Sequence, residues 1–502
     1  MSSETAESHR SSHPLRDIFW PVYGQEHRKF LPIALINTLI LANYTIVRSI
    51  KDASIITVSG VETITFIKFW LVVPASFLFF LFYTKVVNVV SRDRLFYGIV
   101  VAFLAFFVLF AWVLYPNRGL LHPTASADWM RGVMPAADWA GSVVDIYRYW
   151  TLSLFYVVAE LWSSVMLSFL FWQFANSVTS VLEAKRFYTH FYLLAHMSVF
   201  FAGTFVHSVT SRPAPNDGSD SWGALLQVLL AIVSVNCVVI LATYWGMQRF
   251  VFQNKQTQGS AQTNPGAKTK PKMSLMQSMR FILSSRYLAL IAVLVLSYGV
   301  GTNLVEILWK NQLKLQYPDP RDYASFMGLL YMIVGLGTCI VILIGGSVLR
   351  RLGWKKAALT TPVVLGGGGL LFCLAIIFRR HIEWVGEVIG ITPLMLIVVL
   401  GTVQYVLGKS TKYALFDPTK EMTYIPLDEE SKTKGKAAID VFGTRFGKSF
   451  GGFLQQILFI CVGPVGVIAP YSFCILAVVT AVWIWAVIQL HKRFVALSGH
   501  AC

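Results

Sequence analysis

The feature that most limits the fold of this chain is its succession of long apolar runs separated by short polar ones. Each run approaches or exceeds the ~20 residues a helix needs to cross a bilayer. About twelve can be read: near 30–48, 66–90, 95–114, 150–175, 187–209 and 222–247, then 285–309, 325–346, 357–378, 390–408, 436–461 and 465–490. In lipid, backbone N–H and C=O groups must bond within the protein, so such runs form helices. Only 13% of the residues are charged, against about a quarter in soluble domains. The expected fold class is an all-α polytopic membrane protein of about twelve transmembrane helices.

Between the sixth and seventh runs lies a polar stretch rich in Gln, Lys, Thr and Pro, which divides the chain near its middle. The expected organisation is a cytoplasmic N-terminus at 1–29, an N-terminal six-helix half at 30–248 and a cytoplasmic linker at 249–284. A C-terminal six-helix half at 285–490 and a cytoplasmic tail at 491–502 complete it. The two halves show a faint repeat. RKFLPIALINTLILANYTIVRSIKD, from Arg28, resembles RYLALIAVLVLSYGVGTNLVEILWK, from Arg286. A second match pairs the segment from Ala184 with the region through GTRFGKSFGG. Two related six-helix halves are the major-facilitator plan, in which substrate binds near the midplane between the halves.

Lys and Arg number 42 against 25 Asp and Glu. They gather in alternate loops, for example at Arg92, Arg94, Arg350, Arg351, Lys355 and Lys356, and in the central linker. That bias sets orientation and places both termini in the cytoplasm. No module with a nucleic-acid-binding pattern accompanies the basic residues, so the bilayer is an expected partner and nucleic acid is not. The first 25 positions lack an apolar signal core, so the first helix is expected to direct insertion. The six cysteines are scattered without a CxxC pair and read as packing residues.

Several charges fall where a membrane makes them costly, which marks each as a candidate site residue. Arg48, Lys51 and Asp52 close the first run at spacings that share one helical face. Glu160 sits inside the fourth run, and Asn303 and Glu306 in the seventh, with Lys310 beyond. Arg445 and Lys448 lie on the eleventh, after a polar loop at Lys409–Lys434. For Arg48 and Lys51 the plain alternative is snorkelling from a helix end. His196, in the fifth run, is either a hydrogen-bonded packing residue or a proton-coupling group, since its pKa lies near ambient pH. Together these cations and acids suit a multivalent anion, phosphate above all. The acids would hold the cations when the site is empty.

Gly408-Lys409-Ser410 and Gly447-Lys448-Ser449 resemble the end of a phosphate-binding loop. The earlier glycine that motif needs is replaced by Val403 and Phe442, respectively. There is no HExxH, no GxSxG and no metal-ligand cluster. The reading is therefore a secondary transporter, not an enzyme, with no cofactor.

Several segments then carry a family resemblance: YTIVRSIKDASIIT from Tyr44, AELWSSVMLSFLFWQFAN from Ala159, EAKRFY from Glu183 and NLVEILWKNQLK from Asn303. KYALFDPTKEMTYIPLD from Lys412 and KGKAAIDV with RFGKS from Lys434 extend it. The chain resembles the non-mitochondrial ATP/ADP translocases of plastids and obligate intracellular bacteria such as rickettsiae and chlamydiae. The resemblance implies twelve helices and nucleotide transport across a bacterial inner membrane, as exchange of host ATP for ADP with phosphate. It also implies functional roles for Lys51, Glu160, Glu306 and Lys448. Where the family's exchangers tend to carry Asn, this chain has His196, and TRFGKSF replaces their usual GRLGKSG. The alternative expectation is proton-coupled import of ATP, GTP or a pyrimidine nucleotide. A more remote one is a membrane receptor or scaffold that transports nothing.

Overall fold

The computed structural model describes residues 22, 24–87, 89–134, 138–213, 220–252, 285–428 and 435–498. Most of the expected N-terminal segment and of the central linker lies outside them.

Among the described residues, eleven helices are long and apolar enough to cross a membrane. They are α1 (His27–Ser59), α2 (Val61–Tyr83), α3 (Arg92–Leu114), α4 (Trp150–Val178), α5 (Arg186–Thr210) and α6 (Ser221–Val251). In the second half they are α7 (Arg286–Gln316), α8 (Pro320–Ile344), α9 (Gly353–Ile377), α10 (Pro393–Met422) and α12 (Ala469–Leu497). Between the last two runs α11 (Lys436–Cys461). Its section Phe450–Cys461 is apolar. The expected helix count stands, and large apolar side chains such as Phe77, Leu78, Leu343 and Val478 point outward.

Two glycines shape the path. Gly60, at φ +92°, is the single residue between α1 and α2. Gly353, at φ +70°, breaks a helix that otherwise runs from Pro320 to Pro362 and so separates α8 from α9. Both values lie where a Cβ is strained.

Several helices run past their expected ends. α1 does not stop after Asp52 but continues to Ser59. Its 33 residues span about 50 Å, more than the ~30 Å of hydrocarbon. The stretch from Lys409, expected as a loop, is helical to Met422. Packing holds it: Trp354 Nε1 donates to the Thr419 carbonyl (3.0 Å) and Tyr287 Oη to that of Thr423 (2.8 Å). A Lys412–Asp417 ion pair at 2.7 Å adds to this. Polar helix is sustained here because other helices, not lipid, surround it.

Candidate functional site

The halves pack chiefly through α5 and α8, and between α1 and α7 the membrane charges form one continuous ladder. Glu160 Oε1 lies 2.9 Å from Lys51 Nζ, and Lys51 Nζ 2.9 Å from Asp52 Oδ1. Asp52 Oδ2 lies 2.9 Å from Lys310 Nζ, which is 2.9 Å from Glu306 Oε1. Glu306 Oε1 ends the ladder at 3.1 Å from Arg48 Nη2. Signs alternate throughout, with three carboxylates and three cations. Lys51, Asp52 and Lys310 are sealed, with side chains 1%, 0% and 1% exposed. Ions so enclosed persist only when paired.

Two rungs cross between halves, and both join repeat-equivalent positions. Arg48 and Glu306 are 258 positions apart, the offset that aligns Arg286 with Arg28, and the same offset relates Lys310 to Asp52. On α1 the order is cation then acid, and on α7 acid then cation. The repeat has diverged so that its equivalent positions attract one another across the pseudo-symmetry axis.

Aromatic rings line the ladder. Lys51 Nζ sits 3.8 Å from the ring centre of Tyr156, and the Arg48 guanidinium 6.0 and 5.6 Å from those of Tyr44 and Tyr331. These contacts hold cations over ring faces. Beside Glu306 a cavity runs along α7 and α10, lined by Thr302, Trp309, Gln404, Tyr405 and Lys409 among others. Several of the helices around the site carry π-helical turns, at Ile67–Val72 in α2, Ser163–Leu170 in α4 and Lys412–Phe416 in α10. Such turns shift helical register and often mark functional positions.

Of the candidate site residues, the structure brings Arg48, Lys51, Asp52, Glu160 and Glu306 together. Snorkelling does not describe Arg48 or Lys51, since α1 extends beyond both and both are paired. Asn303 is placed apart from the ladder. Its Nδ2 donates to the Gly299 carbonyl (3.0 Å) and its carbonyl accepts from Gln455 Nε2 (2.8 Å), at the α7–α11 contact. His196 is also apart, buried with its ring 5.1 Å from that of Tyr413. Its Nδ1 has no hydrogen-bond partner among the described residues. The side chains of Arg445 and Lys448 lie outside the described residues. Lys310 and Lys68 are the additions. Lys310 was visible in sequence by its spacing from Glu306, and Lys68 only as a lone cation at the start of the second apolar run.

Hydrogen bonds between the halves also gather at the end of the bundle opposite the termini. His207 Nδ1 lies 3.0 Å from Ser325 Oγ, and Arg321 Nε donates to the Thr210 carbonyl at 3.0 Å. Gln456 Nε2 donates to the Thr65 carbonyl (2.7 Å), and the Val465 N–H to Glu62 Oε1 (3.1 Å). α5 and α8 touch backbone to backbone: a Cβ on Gly203 would stand 2.5 Å from the Met332 nitrogen.

Solved structures of transporters share this architecture. The chain superposes on a bacterial homologue of the iron transporter ferroportin in its inward-facing state with a TM-score of 0.57. That match covers 95% of this chain and 100% of the other at 14% identity. For the nucleoside transporter NupG the score is 0.53, over 92% and 99% of the two chains at 12% identity. The fold is major-facilitator-like. In sequence, the chain is 44% identical over 489 residues to "ADP,ATP carrier protein 1" of Chlamydia trachomatis, covering 97% of this chain and 92% of that one. It is 36% identical to "ADP,ATP carrier protein 3" of Rickettsia prowazekii, over 96% and 98% of the two. The chloroplastic "ADP,ATP carrier protein 1" of Arabidopsis thaliana is 39% identical, over 94% and 75%. The family model described as TLC ATP/ADP transporter matches residues 5–494, and the chain belongs to that family of multi-pass membrane transporters.

Proposed function

We propose that this chain exchanges ATP for ADP across a bacterial inner membrane and works no chemistry on either. The observation that carries this reading is the charge ladder on the α1–α7 seam. Each of its cations is neutralised by a carboxylate on the seam or beside it, and a polyphosphate is the ligand best able to replace those carboxylates. Substrate phosphates would take Arg48, Lys51 and Lys310, with Arg445 and Lys448 contributing from α11. On release, Asp52, Glu160 and Glu306 recapture the cations.

This cycle explains exchange rather than one-way flow. Without substrate the ladder clamps the halves together, and parting them would leave buried charges unpaired. Nucleotide supplies the missing negative charge, so each change of orientation carries a nucleotide. Phosphate accompanying ADP fits the same cations. The enclosing scheme keeps both termini, the linker at 249–284 and the tail at 491–502 in the cytoplasm, with the six-helix halves at 30–248 and 285–490 moving against each other.

The test is uptake of labelled ATP by proteoliposomes. Uptake should require internal ADP or ATP and should persist without a pH gradient. Uptake into empty vesicles driven by a pH gradient would replace this reading with proton-coupled import of ATP, GTP or another nucleotide. The unpartnered Nδ1 of buried His196 is the observation that favours that second reading.

A further inference from the structure

We infer that Lys68 binds the terminal phosphate and distinguishes a nucleoside triphosphate from a diphosphate. The inference rests on the exchange reading above and concerns a residue outside the ladder. Lys68 is on α2, in the π-helical turn Ile67–Val72. That turn packs against the Trp150–Trp162 section of α4, which carries Glu160, and against α11, and this places Lys68 within electrostatic reach of Glu160 and Lys51 of one half and of Glu306 and Lys310 of the other. It is half-buried, whereas Lys51 and Lys310 are sealed.

What sets Lys68 apart is its lack of a partner. Among the described residues it has no carboxylate within ion-pair distance, while Arg48, Lys51 and Lys310 each have one at 3.1 Å or less. A phosphate approaching any of those three must first displace a carboxylate. At Lys68 no carboxylate has to be displaced. The three ladder cations and Lys68 face three carboxylates, and Lys409 stands beside Glu306 in the cavity wall, so the site carries excess positive charge that is costly in a membrane protein until an anion arrives. Snorkelling would aim Lys68 away from the seam, yet its neighbours on α2 are engaged in the α2–α11 contact. Phe69 stacks on Phe453 with ring centres 5.4 Å apart, and the Thr65 carbonyl accepts from Gln456.

ATP and ADP share a base, a sugar and two phosphates, and ATP carries about one further negative charge at neutral pH. The ladder cations have carboxylates to return to when a phosphate is missing. Lys68 has none among the described residues, so its occupancy changes more between the two ligands than that of the ladder cations. A lysine suits this task, being a compact charge on a flexible stem with three donors.

Wild-type protein, Lys68→Gln and Lys68→Arg should be reconstituted and their KM values for external ATP and ADP measured against fixed internal ADP. Competition binding in detergent provides a second readout, and a thermal melt checks folding. We expect Lys68→Gln to raise the KM for ATP by ~10-fold or more, with that for ADP rising less than ~3-fold. Lys68→Arg should recover most of the ATP affinity. Equal losses for both nucleotides, or no loss, would overturn the inference while leaving exchange intact. Wild-type vesicles that move neither nucleotide would instead sink the exchange reading beneath it.

Discussion

Lys310 bonds one carboxylate from each half, Asp52 and Glu306, and is the residue whose loss should be felt most. Lys310→Ala leaves two acids short of a partner in a sealed site, which costs about 3–5 kcal/mol for a broken buried pair. We expect a lower melting temperature and exchange reduced by at least ~10-fold. Adding Asp52→Asn should restore the melt but not transport; a double variant with wild-type exchange would show that the ladder is structural only. His196 belongs to a different argument. It lies against Tyr413, apart from the ladder, so His196→Asn should keep at least about half of the exchange rate, since it breaks no ion pair. A variant that gains or loses sensitivity to a protonophore would return His196 to proton coupling. At this scale the cost of membrane charge was enough to find Arg48, Lys51, Asp52, Glu160 and Glu306 in the sequence. Lys310, named only as lying beyond Glu306, and Lys68, not singled out, each stand near the edge of an apolar window, where a cation passes for an anchor. Hydropathy reports lipid contact, and these residues are enclosed by protein.

Between elements, the α1–α7 seam makes a quantitative claim. Arg48 and Glu306 occupy equivalent places in the repeat and meet at 3.1 Å, so their effects should not add. In a double-mutant cycle with Arg48→Gln and Glu306→Gln, we expect a stability coupling of about 1–3 kcal/mol, the range for residues in one ion-pair network. Additive losses would mean that the seam is not closed in the resting protein. Helix extent was the least legible part of the fold. Apolar runs located every membrane helix, yet α1, α7 and α10 each continue through polar residues that the runs exclude. The repeat was legible because Arg28 and Arg286 mark the same start. That its equivalent positions carry opposite charges can be read from the aligned segments, but that they pair with one another is a property of the packed seam.

For the whole molecule, alternating access requires the halves to part at each end in turn. In this structure α5 and α8 run against each other from Leu193 and Cys339 to Thr210 and Arg321 at the end opposite the termini, so closely that Gly203 and Gly328 pack backbone against backbone. If that contact is a gate, it must open once per cycle; if it is a fixed pivot, it never does. His207 and Ser325 touch across it at 3.0 Å, so a cysteine at each position tests the choice. The six native cysteines should first be replaced, because Cys339 also faces α5, through the Leu193 carbonyl. In that background, oxidation or a short bifunctional reagent should join His207→Cys to Ser325→Cys, and exchange should stop. Reductant should restore it after oxidation, and added ATP or ADP should slow cross-linking by drawing the protein away from this state. A fully cross-linked protein that still exchanges at the wild-type rate would make the α5–α8 crossing the pivot. Movement would then have to be sought at α2 and α11, where Thr65–Gln456 and Glu62–Val465 form the remaining cross-half bonds at that end among the described residues.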